Sequence, residues 1–316
     1  MKRVWWLVGA AVSVLPLLSC NGGDDDGAGP SPDASGPGVW VADEGAVWKF
    51  TLDGALKQKT GGFDTAWDVA VREADGAAWV ADIGRGTVTK FTDAGAVAKT
   101  VNGMGWPYGV SVNQNDGSCW VVDEKNGRAY KLDAQGNVKK TAGGFDQPYD
   151  LACYSGDGAC WVSDSWNSRL VKLDANGKTL FTRDLGDPVW CVAVDPRDGS
   201  CWASTLFHLY KYSAAGGLLA DVGTNNSANG IAVAEDGAVV YTTDGKLYKR
   251  DADGHLKWTR SGFSRAVGVA VSTADGSIWV ADEDAKKVVK YSKSGDKISE
   301  VAAGFADPRG VGLHSQ

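Results

Sequence analysis

The chain has 316 residues, of which 43% are hydrophobic and 22% are charged, as in an ordinary folded globular protein. Its formal net charge is −7 at pH 7, and it has no block of lysine and arginine, which argues against a nucleic acid as partner. Glycine is abundant at 42 residues, which indicates many tight turns.

The N-terminus has the pattern of an export signal. Two basic residues precede an apolar stretch from Val4 to Leu18, which is too short to span a bilayer comfortably and is typical of a signal peptide. The stretch ends in Leu-Leu-Ser-Cys at residues 17–20. This ending resembles the bacterial lipobox and implies that Cys20 is the lipidated first residue after cleavage. We therefore predict a lipoprotein signal peptide over residues 1–19; an ordinary signal peptide with an unrelated cysteine is the alternative.

Residues 20–38 are predicted to form a flexible tether. After Cys20 the segment contains only Asn, Gly, Asp, Ala, Pro and Ser, so it cannot bury a core. Within the lipobox resemblance, Asn21 is compatible with the outer membrane, and the run Asp24–Asp26 is either a solvated linker or a surface-export signal. We expect a cell-envelope protein held by its lipid in the outer membrane, facing the periplasm or the cell surface.

From residue 39 onward, a unit of about forty residues recurs seven times. A fixed period of this length indicates an array of identical supersecondary units. The pattern Trp-Val-Ala-Asp, or a close variant, begins at Trp40, Trp79, Trp120, Trp161, Trp202, Val240 and Trp279.

Each unit divides into four short segments without helical periodicity. The Trp-Val-Ala-Asp segment is followed by one that ends in Lys, by a Gly turn, by a more polar segment and by a small apolar one such as Val69–Val71. Four short strands in about forty residues predict the blade of a β-propeller. The small apolar strand is expected innermost, and the polar third strand at the outer rim.

The ends of the chain are predicted to share one blade. Only six Asp-Gly turns connect the seven units, so the strand near Gly310–His314 should complete the blade begun by residues 39–63. Such closure leaves no open sheet edge. The predicted fold class is therefore all-β: a seven-bladed β-propeller of four-stranded antiparallel blades over residues 39–316.

The repeat resembles that of the NHL-repeat family, most closely at residues 107–110 (Pro-Tyr-Gly-Val) and 275–282 (Asp-Gly-Ser-Ile-Trp-Val-Ala-Asp). The resemblance implies the propeller fold but not an activity, because propellers include binding scaffolds and enzymes. Streptogramin B lyases and gluconolactonase-type metal hydrolases look similar at this level. The lyase resemblance implies paired catalytic histidines. We expect His255 at the outer rim and His314 at the chain end, which leaves only His208 able to face the axis, so we predict no catalytic residue.

One variable position before each innermost strand is the candidate binding site, because these positions should ring the mouth of the channel on one face. Four consecutive aromatic residues and one arginine there predict an amphipathic ligand platform. The alternative is that the rings pack between blades. The seven positions are Trp67, Tyr108, Tyr149, Trp190, Asn229, Val267 and Arg309.

Metal and cofactor chemistry finds little support in the sequence. Asp68, Asp150 and Asn229 near the same rim are the candidates for a divalent cation, but hard cations prefer more oxygen ligands than these residues supply. We therefore predict no metal site and no cofactor. The Asp and Lys that recur in the units are expected to be structural: the Asp accepts bonds from the following turn, and the Lys lies at a blade edge with a buried stem.

The cysteines suggest one disulfide. Cys153 and Cys160 should lie opposite each other on adjacent strands of a hairpin, and an exported protein permits a bridge there. Cys119, Cys191 and Cys201 are expected to be free and buried.

Together these features predict a membrane-tethered binding module that takes a small ligand, a peptide or an envelope protein at the loop face of its central channel. Only the lipid anchor is expected to contact the membrane. The alternative is a metal-assisted lyase or lactonase that uses the same mouth. The sequence leaves catalysis open and favours binding.

Overall fold

The computed structural model of the protein describes residues 34–316. They form seven four-stranded antiparallel sheets, arranged as the blades of a β-propeller, as predicted. The predicted signal peptide, Cys20 and most of the predicted tether lie outside these residues. Among residues 34–316, no helix is long and apolar enough to cross a membrane.

The strands of blades 1 to 4 are as follows. Blade 1 contains β1 (Gly38–Asp43), β2 (Ala46–Phe50), β3 (Leu56–Gly61) and, from the other end of the chain, β28 (Val311–His314). Blade 2 contains β4 (Ala66–Val71), β5 (Ala78–Asp82), β6 (Thr87–Phe91) and β7 (Val97–Val101). Blade 3 contains β8 (Pro107–Val112), β9 (Cys119–Asp123), β10 (Arg128–Leu132) and β11 (Val138–Gly143). Blade 4 contains β12 (Pro148–Cys153), β13 (Cys160–Asp164), β14 (Arg169–Leu173) and β15 (Thr179–Asp184).

Blades 5 to 7 repeat the order. Blade 5 contains β16 (Cys191–Val194), β17 (Cys201–Ser204), β18 (His208–Tyr212) and β19 (Leu218–Gly223). Blade 6 contains β20 (Gly230–Val233), β21 (Val239–Thr243), β22 (Lys246–Arg250) and β23 (Leu256–Ser261). Blade 7 contains β24 (Ala266–Val271), β25 (Ile278–Asp282), β26 (Lys287–Tyr291) and β27 (Lys297–Val301).

The ring closes as the sequence predicts. Strand β28 pairs antiparallel with β1, with Val39 opposite Leu313 and Val41 opposite Val311. The last strand of the chain is therefore the innermost strand of the first blade, so strands from both ends of the sequence pair in one sheet. The polar third strands lie at the rim, where β7 and β11 are largely exposed.

The hydrophobic core lies between adjacent blades, because the two faces of each sheet pack on its neighbours. Trp40 of blade 1, for example, packs with Val69 and Phe91 of blade 2. The six tryptophans that open the repeats are at most 2% exposed. Burial of such large side chains contributes several kcal/mol each, so this strand supplies a large stabilising contact in the six blades that carry the tryptophan.

The repeated lysines link each blade to the next. Each Nζ donates a hydrogen bond to a backbone carbonyl in the outer hairpin of the following blade, as Lys172 does to Ala214 at 2.7 Å and Lys290 to Leu52 at 2.9 Å. The latter bond closes the ring. Six of the seven ammonium groups also lie 5.1–5.6 Å from the centroid of the repeat tryptophan. The stems are buried as predicted, but the charged ends lie in the inter-blade interface rather than at a free blade edge.

The repeated aspartates hold the loops that enter the innermost strands. Asp82 accepts bonds from the backbone N–H groups of Asp64 and Thr65, each at 3.0 Å. It also accepts a bond from the N–H of Arg85 in the following turn, at 3.2 Å. The structural role is therefore as predicted, but the main partner is the upstream loop. This loop carries the candidate site.

The predicted disulfide is not formed. Cys153 and Cys160 are cross-strand partners, as predicted, yet all five cysteines from Cys119 to Cys201 are free. The prediction of a bridge is wrong for this structure because Sγ of Cys160 turns towards its own strand and lies 3.5 Å from the carbonyl oxygen of Trp161. Cys119, Cys191 and Cys201 are free and buried as expected, and burial raises the pKa of their thiols.

Candidate ligand-binding site

Bulges in the innermost strands present the candidate residues. In β4 the register shifts between Ala66 and Asp68, which leaves Trp67 as an extra residue. In β8 and β12 the shift leaves two residues opposite one, at 108–109 and at 149–150. A bulge redirects a side chain that a regular strand would place on a blade face. These side chains therefore leave the blade stacking and line the channel.

All seven variable positions line one cavity of about 710 Å³ on the propeller axis. The predicted placement around a common mouth is thus correct. The cavity runs from the rings at the mouth to Gln114 and Ser155, in the turns at the opposite face.

The four aromatic residues form a continuous half-ring. Trp67 and Tyr108 meet edge to face at 5.1 Å between ring centroids, Tyr108 and Tyr149 lie 4.9 Å apart, and Tyr149 and Trp190 lie 5.6 Å apart. Trp67 also lies 6.5 Å from Tyr149, two blades away, so the rings converge over the channel. The rings are half-buried and pack mainly on one another, although Tyr108 also packs on the core between blades 3 and 4.

The remaining positions leave the other side of the mouth more open. Asn229 is exposed, and its amide donates a bond to the carbonyl of Ala266 at 2.9 Å. Val267 packs on the core shared by blades 7 and 1. The aromatic wall therefore covers the half of the mouth that blades 2 to 5 form.

Arginine and glutamate side chains form an ion-pair cluster beside the wall. The guanidinium of Arg309 lies 4.8 Å from the ring centroid of Trp67 and donates to Oε1 of Glu283 at 3.0 Å. Arg265 approaches Oε2 of the same carboxylate at 2.8 Å. Glu283 is thus held by two arginines, which fixes Arg309 against the indole. Within residues 34–316, the buried Nη1 of Arg309 has no hydrogen-bond partner.

Two carboxylates line the cavity beneath the rings. Asp68 accepts backbone bonds from Val69 at 2.8 Å and from Val110 of the next blade at 2.9 Å. Asp150 does the same with Leu151 at 2.7 Å and Val192 at 2.8 Å. Burial raises the pKa of Asp68 to about 6 and, with the nearby charge of Asp68, that of Asp150 to about 7.

Sequence reasoning considered these two aspartates only as candidate metal ligands and missed Arg265. The sequence does distinguish these two aspartates when the residue directly after each of the seven variable positions is compared between blades. Four blades have glycine there and one has Cys191, whereas Asp68 and Asp150 break the pattern. In the four glycine blades, at residues 109, 230, 268 and 310, a Cβ would lie 2.0–3.1 Å from the neighbouring blade. The two aspartates therefore occupy crowded positions.

A third carboxylate near the rings is Glu124. Its Oε2 is buried and, in the part of the chain that the structure describes, has no hydrogen-bond partner. Burial raises its pKa. Burial also raises the pKa of Tyr108, and the charge of Glu124 adds to that shift.

The histidines do not reach the mouth. His208 was predicted to be able to face the axis, but its Nδ1 lies 2.6 Å from Asp221 on the outermost strand and its ring stacks on Tyr210. His208 belongs to the outer hairpin of blade 5, because β18 is the third strand from the axis. His255 is exposed on a rim hairpin, as expected, and His314 lies 3.0 Å from Asp93 at the end of the last strand.

Potential metal ligands converge away from the channel. Among residues 34–316, the one group of three or more histidine, cysteine or acidic side chains with converging ligand atoms is Asp251, Asp253 and His255. This group lies on an outer hairpin of blade 6 and not at the mouth. Asp68, Asp150 and Asn229 do not form such a group.

The mouth face also carries exposed apolar side chains beyond the cavity. Trp106, Trp166 and Phe207 are 45%, 63% and 50% exposed, and each lies in a loop on this face of blades 3, 4 and 5. Lys125 lies 5.4 Å from the ring centroid of Trp106. The apolar surface of the mouth therefore extends outwards on the side of the aromatic wall.

No protein-family model and no curated protein matches the chain. Solved structures do match. A functionally unknown protein from Desulfotomaculum acetoxidans has a TM-score of 0.74 and 16% identity, over 88% of this chain and 99% of that one. Hydrazine synthase of Kuenenia stuttgartiensis has a TM-score of 0.69 and 12% identity, over 79% and 90%.

A catalytically inactive virginiamycin B lyase from Staphylococcus aureus, solved with quinupristin, has a TM-score of 0.68 and 12% identity, over 78% of this chain and 87% of that one. At such low identity these likenesses show the fold alone. The protein shares the architecture of these structures and is a seven-bladed β-propeller.

Proposed function

We propose that the protein is an NHL-like propeller that binds a ligand at the aromatic half-ring of its channel mouth. The continuous contact of Trp67, Tyr108, Tyr149 and Trp190 over a shared cavity carries this proposal. Ligand pockets commonly have volumes of about 300–1,000 Å³ and few but well-placed polar groups. The cavity has a suitable size, and its polar groups are Arg309, Asn229 and the carboxylates beneath.

The ligand is a small molecule or the side chain of a peptide or envelope protein. Rings held by other rings lose little conformational entropy on binding, which makes them efficient contact surfaces. The exposed Trp106, Trp166 and Phe207 beside the cavity would extend the contact with a larger partner.

The propeller is proposed to act from a lipid tether. The basis is the sequence at residues 1–38, with Cys20 as the lipidated residue and the outer membrane as the location. Metabolic labelling with an alkyne fatty acid tests this step. We expect incorporation that Cys20→Ala abolishes; no incorporation, or labelling that survives the substitution, contradicts the tether.

The alternative is a lyase or lactonase at the same mouth, favoured by the shared fold with virginiamycin B lyase. Binding is the stronger proposal because the histidines of this chain contact Asp221, Asp251 and Asp93 instead of the mouth. A lactonase screen on the full chain, with added divalent metal, distinguishes the two. Turnover that is lost in a mouth variant would favour the enzyme.

Three indoles that differ in charge test binding itself: neutral 3-methylindole, anionic indole-3-propionate and cationic tryptamine. Saturation-transfer NMR on the full chain detects weak ligands of this kind. We expect at least one of them to bind, and Trp67→Ala and Tyr149→Ala to abolish its signal.

Trp258→Ala is the matched control. This tryptophan is also half-buried and also lies under an arginine, with Arg260 at 5.1 Å, but it belongs to the outermost strand of blade 6. Binding should persist in this variant. If none of the three indoles binds, or if Trp258→Ala weakens binding as much as Trp67→Ala does, the mouth is not the binding site.

A further inference from the structure

The channel beneath the rings holds two carboxyl groups that, among residues 34–316, have no basic partner. Asp68 and Asp150 line the cavity and remain partly accessible from it. Each accepts two backbone N–H bonds, and within residues 34–316 neither forms an ion pair with lysine, arginine or histidine. A carboxylate in such a place is costly to ionise, so a positive charge brought beside it would be stabilised.

The two carboxylates lie on either side of one strand. Asp68 reaches the backbone N–H of Val110 in β8. On the other flank, Oδ1 of Asp150 would lie 3.1 Å from a Cβ at Gly109, the preceding residue. Gly109 therefore has little room for a side chain, and the carboxylate of Asp150 lies close to its backbone.

The basic groups at the mouth are already engaged by other carboxylates. Arg265 and Arg309 both bind Glu283, and Arg309 also lies 3.7 Å from Asp307. In the described part of the chain, this leaves Glu124, Asp68 and Asp150 without a basic partner at or below the rings. Within the described residues, the carboxyl groups that a ligand meets beneath the rings are therefore acidic ones without a basic partner, whereas the unpartnered Nη1 of Arg309 lies at the mouth.

The wall above these carboxylates suits a cation as well. The face of an aromatic ring attracts positive charge, and more strongly in a desolvated site. Trp67 already holds the guanidinium of Arg309 at 4.8 Å. Tyr108, Tyr149 and Trp190 continue the same wall over the channel.

We propose that the channel mouth binds an organic cation, whose ammonium or guanidinium group enters the channel beside Asp68 or Asp150 while its apolar part lies on the aromatic half-ring. This inference rests on the proposed binding function and names its ligand class. A primary ammonium or a guanidinium has several N–H donors and can form a charge-assisted hydrogen bond with a carboxylate. A calcium ion would need about six to eight oxygen ligands, whereas here two carboxylates have their oxygens engaged by backbone N–H groups.

The charge series on the wild-type chain is the first test. Calorimetric titration at constant ionic strength compares tryptamine, 3-methylindole and indole-3-propionate. We expect tryptamine to bind at least about tenfold more tightly than 3-methylindole, and indole-3-propionate to bind most weakly. If all three bind equally, or the anion binds best, the cation proposal is wrong although the binding function stands. If none binds, the binding function itself fails.

Variants then test whether Asp68 and Asp150 cause the preference for tryptamine over 3-methylindole. In Asp68→Asn/Asp150→Asn the ratio of tryptamine to 3-methylindole affinity should fall to about one, because both charges are lost. Asp146→Asn is the control: it removes one negative charge from an exposed loop on the same face, outside the cavity, and should leave the ratio unchanged. A ratio that falls equally in Asp146→Asn would show a general surface-charge effect and overturn the proposal.

Calcium chloride serves as a competitor. We expect no displacement of tryptamine beyond that produced by sodium chloride of equal ionic strength. Stoichiometric displacement by calcium would assign the carboxylates to a metal ion and overturn the proposal. Because the wild-type series and this competition need no variant, the proposal stays testable if the double variant does not fold.

Discussion

The lysine of each repeat offers the sharpest test of how the blades are held together. The substitution Lys172→Met removes the charge of one such lysine. Lys172 is 3% exposed, donates to the carbonyl of Ala214 at 2.7 Å and lies 5.1 Å from the ring centroid of Trp161. Methionine keeps most of the apolar stem and removes the ammonium. The hairpin carbonyl of the next blade then loses its donor.

The expected cost follows from these contacts. A hydrogen bond to a charged group contributes about 1.5–3 kcal/mol, and a buried cation–π contact about 1–2 kcal/mol. Against them stands the desolvation of the ammonium, which lowers the pKa of Lys172. We expect a net loss of about 1–3 kcal/mol in the free energy of unfolding, and a decrease of a few degrees in melting temperature.

Urea unfolding and differential scanning calorimetry of the full chain measure the loss. Lys178→Met is the matched control, because Lys178 is exposed on the outer hairpin of the same blade and its ammonium has no ion-pair partner among residues 34–316. This control should change the stability by less than about 0.5 kcal/mol. Equal effects of the two substitutions, or no effect of Lys172→Met, would refute the inter-blade role.

Trp67→Ala should lower the free energy of unfolding by only about 1–2 kcal/mol, because the ring is half-buried and contacts other residues of the mouth. Trp161→Ala should lower it by about 3–5 kcal/mol, because this ring is fully buried. Equal losses in thermal unfolding would make Trp67 a core residue. The free energy of unfolding should fall between about pH 4 and pH 8. Asp68 and Asp150 have folded pKa values of about 6 and 7, above the ordinary 3.8. The stability that these raised pKa values contribute is complete below the ordinary value and is lost as pH rises through the folded values, at about 1.4 kcal/mol per pKa unit. Urea titrations should show a flatter profile for Asp150→Asn, and an unchanged slope would contradict the assignment. Mass spectrometry of the denatured but unreduced protein should find Cys153 and Cys160 alkylated, and a linked peptide pair would show that the disulfide forms.

Much of the fold is predictable because it depends on repetition. The spacing of Trp40 to Trp279 gives the number of blades, and the missing seventh Asp-Gly turn gives the closure between β28 and β1. The mouth residues are predictable for the same reason, since equivalent positions in a ring of equal units must lie at one level.

The contacts that distinguish one blade from another are less predictable. The target of each lysine lies in the next unit, at a distance that depends on how the blades rotate against each other. The convergence of Trp67 and Tyr149 across the channel depends on bulges that the alternation of side chains does not reveal. His208 lies on an outer strand because the short loop before it keeps the regular strand order. Among residues 34–316, Asp68 and Asp150 have no basic partner because of the side chains that surround them, which their own sequence pattern does not reveal.

A crystal structure of the full chain with tryptamine would test the central claim most directly. We predict the indole on the rings of Trp67, Tyr108 and Tyr149, with the ammonium within about 3 Å of a carboxylate oxygen of Asp68 or Asp150. Tryptamine bound elsewhere, such as at the acidic hairpin around Asp251, with the channel empty, would contradict the account.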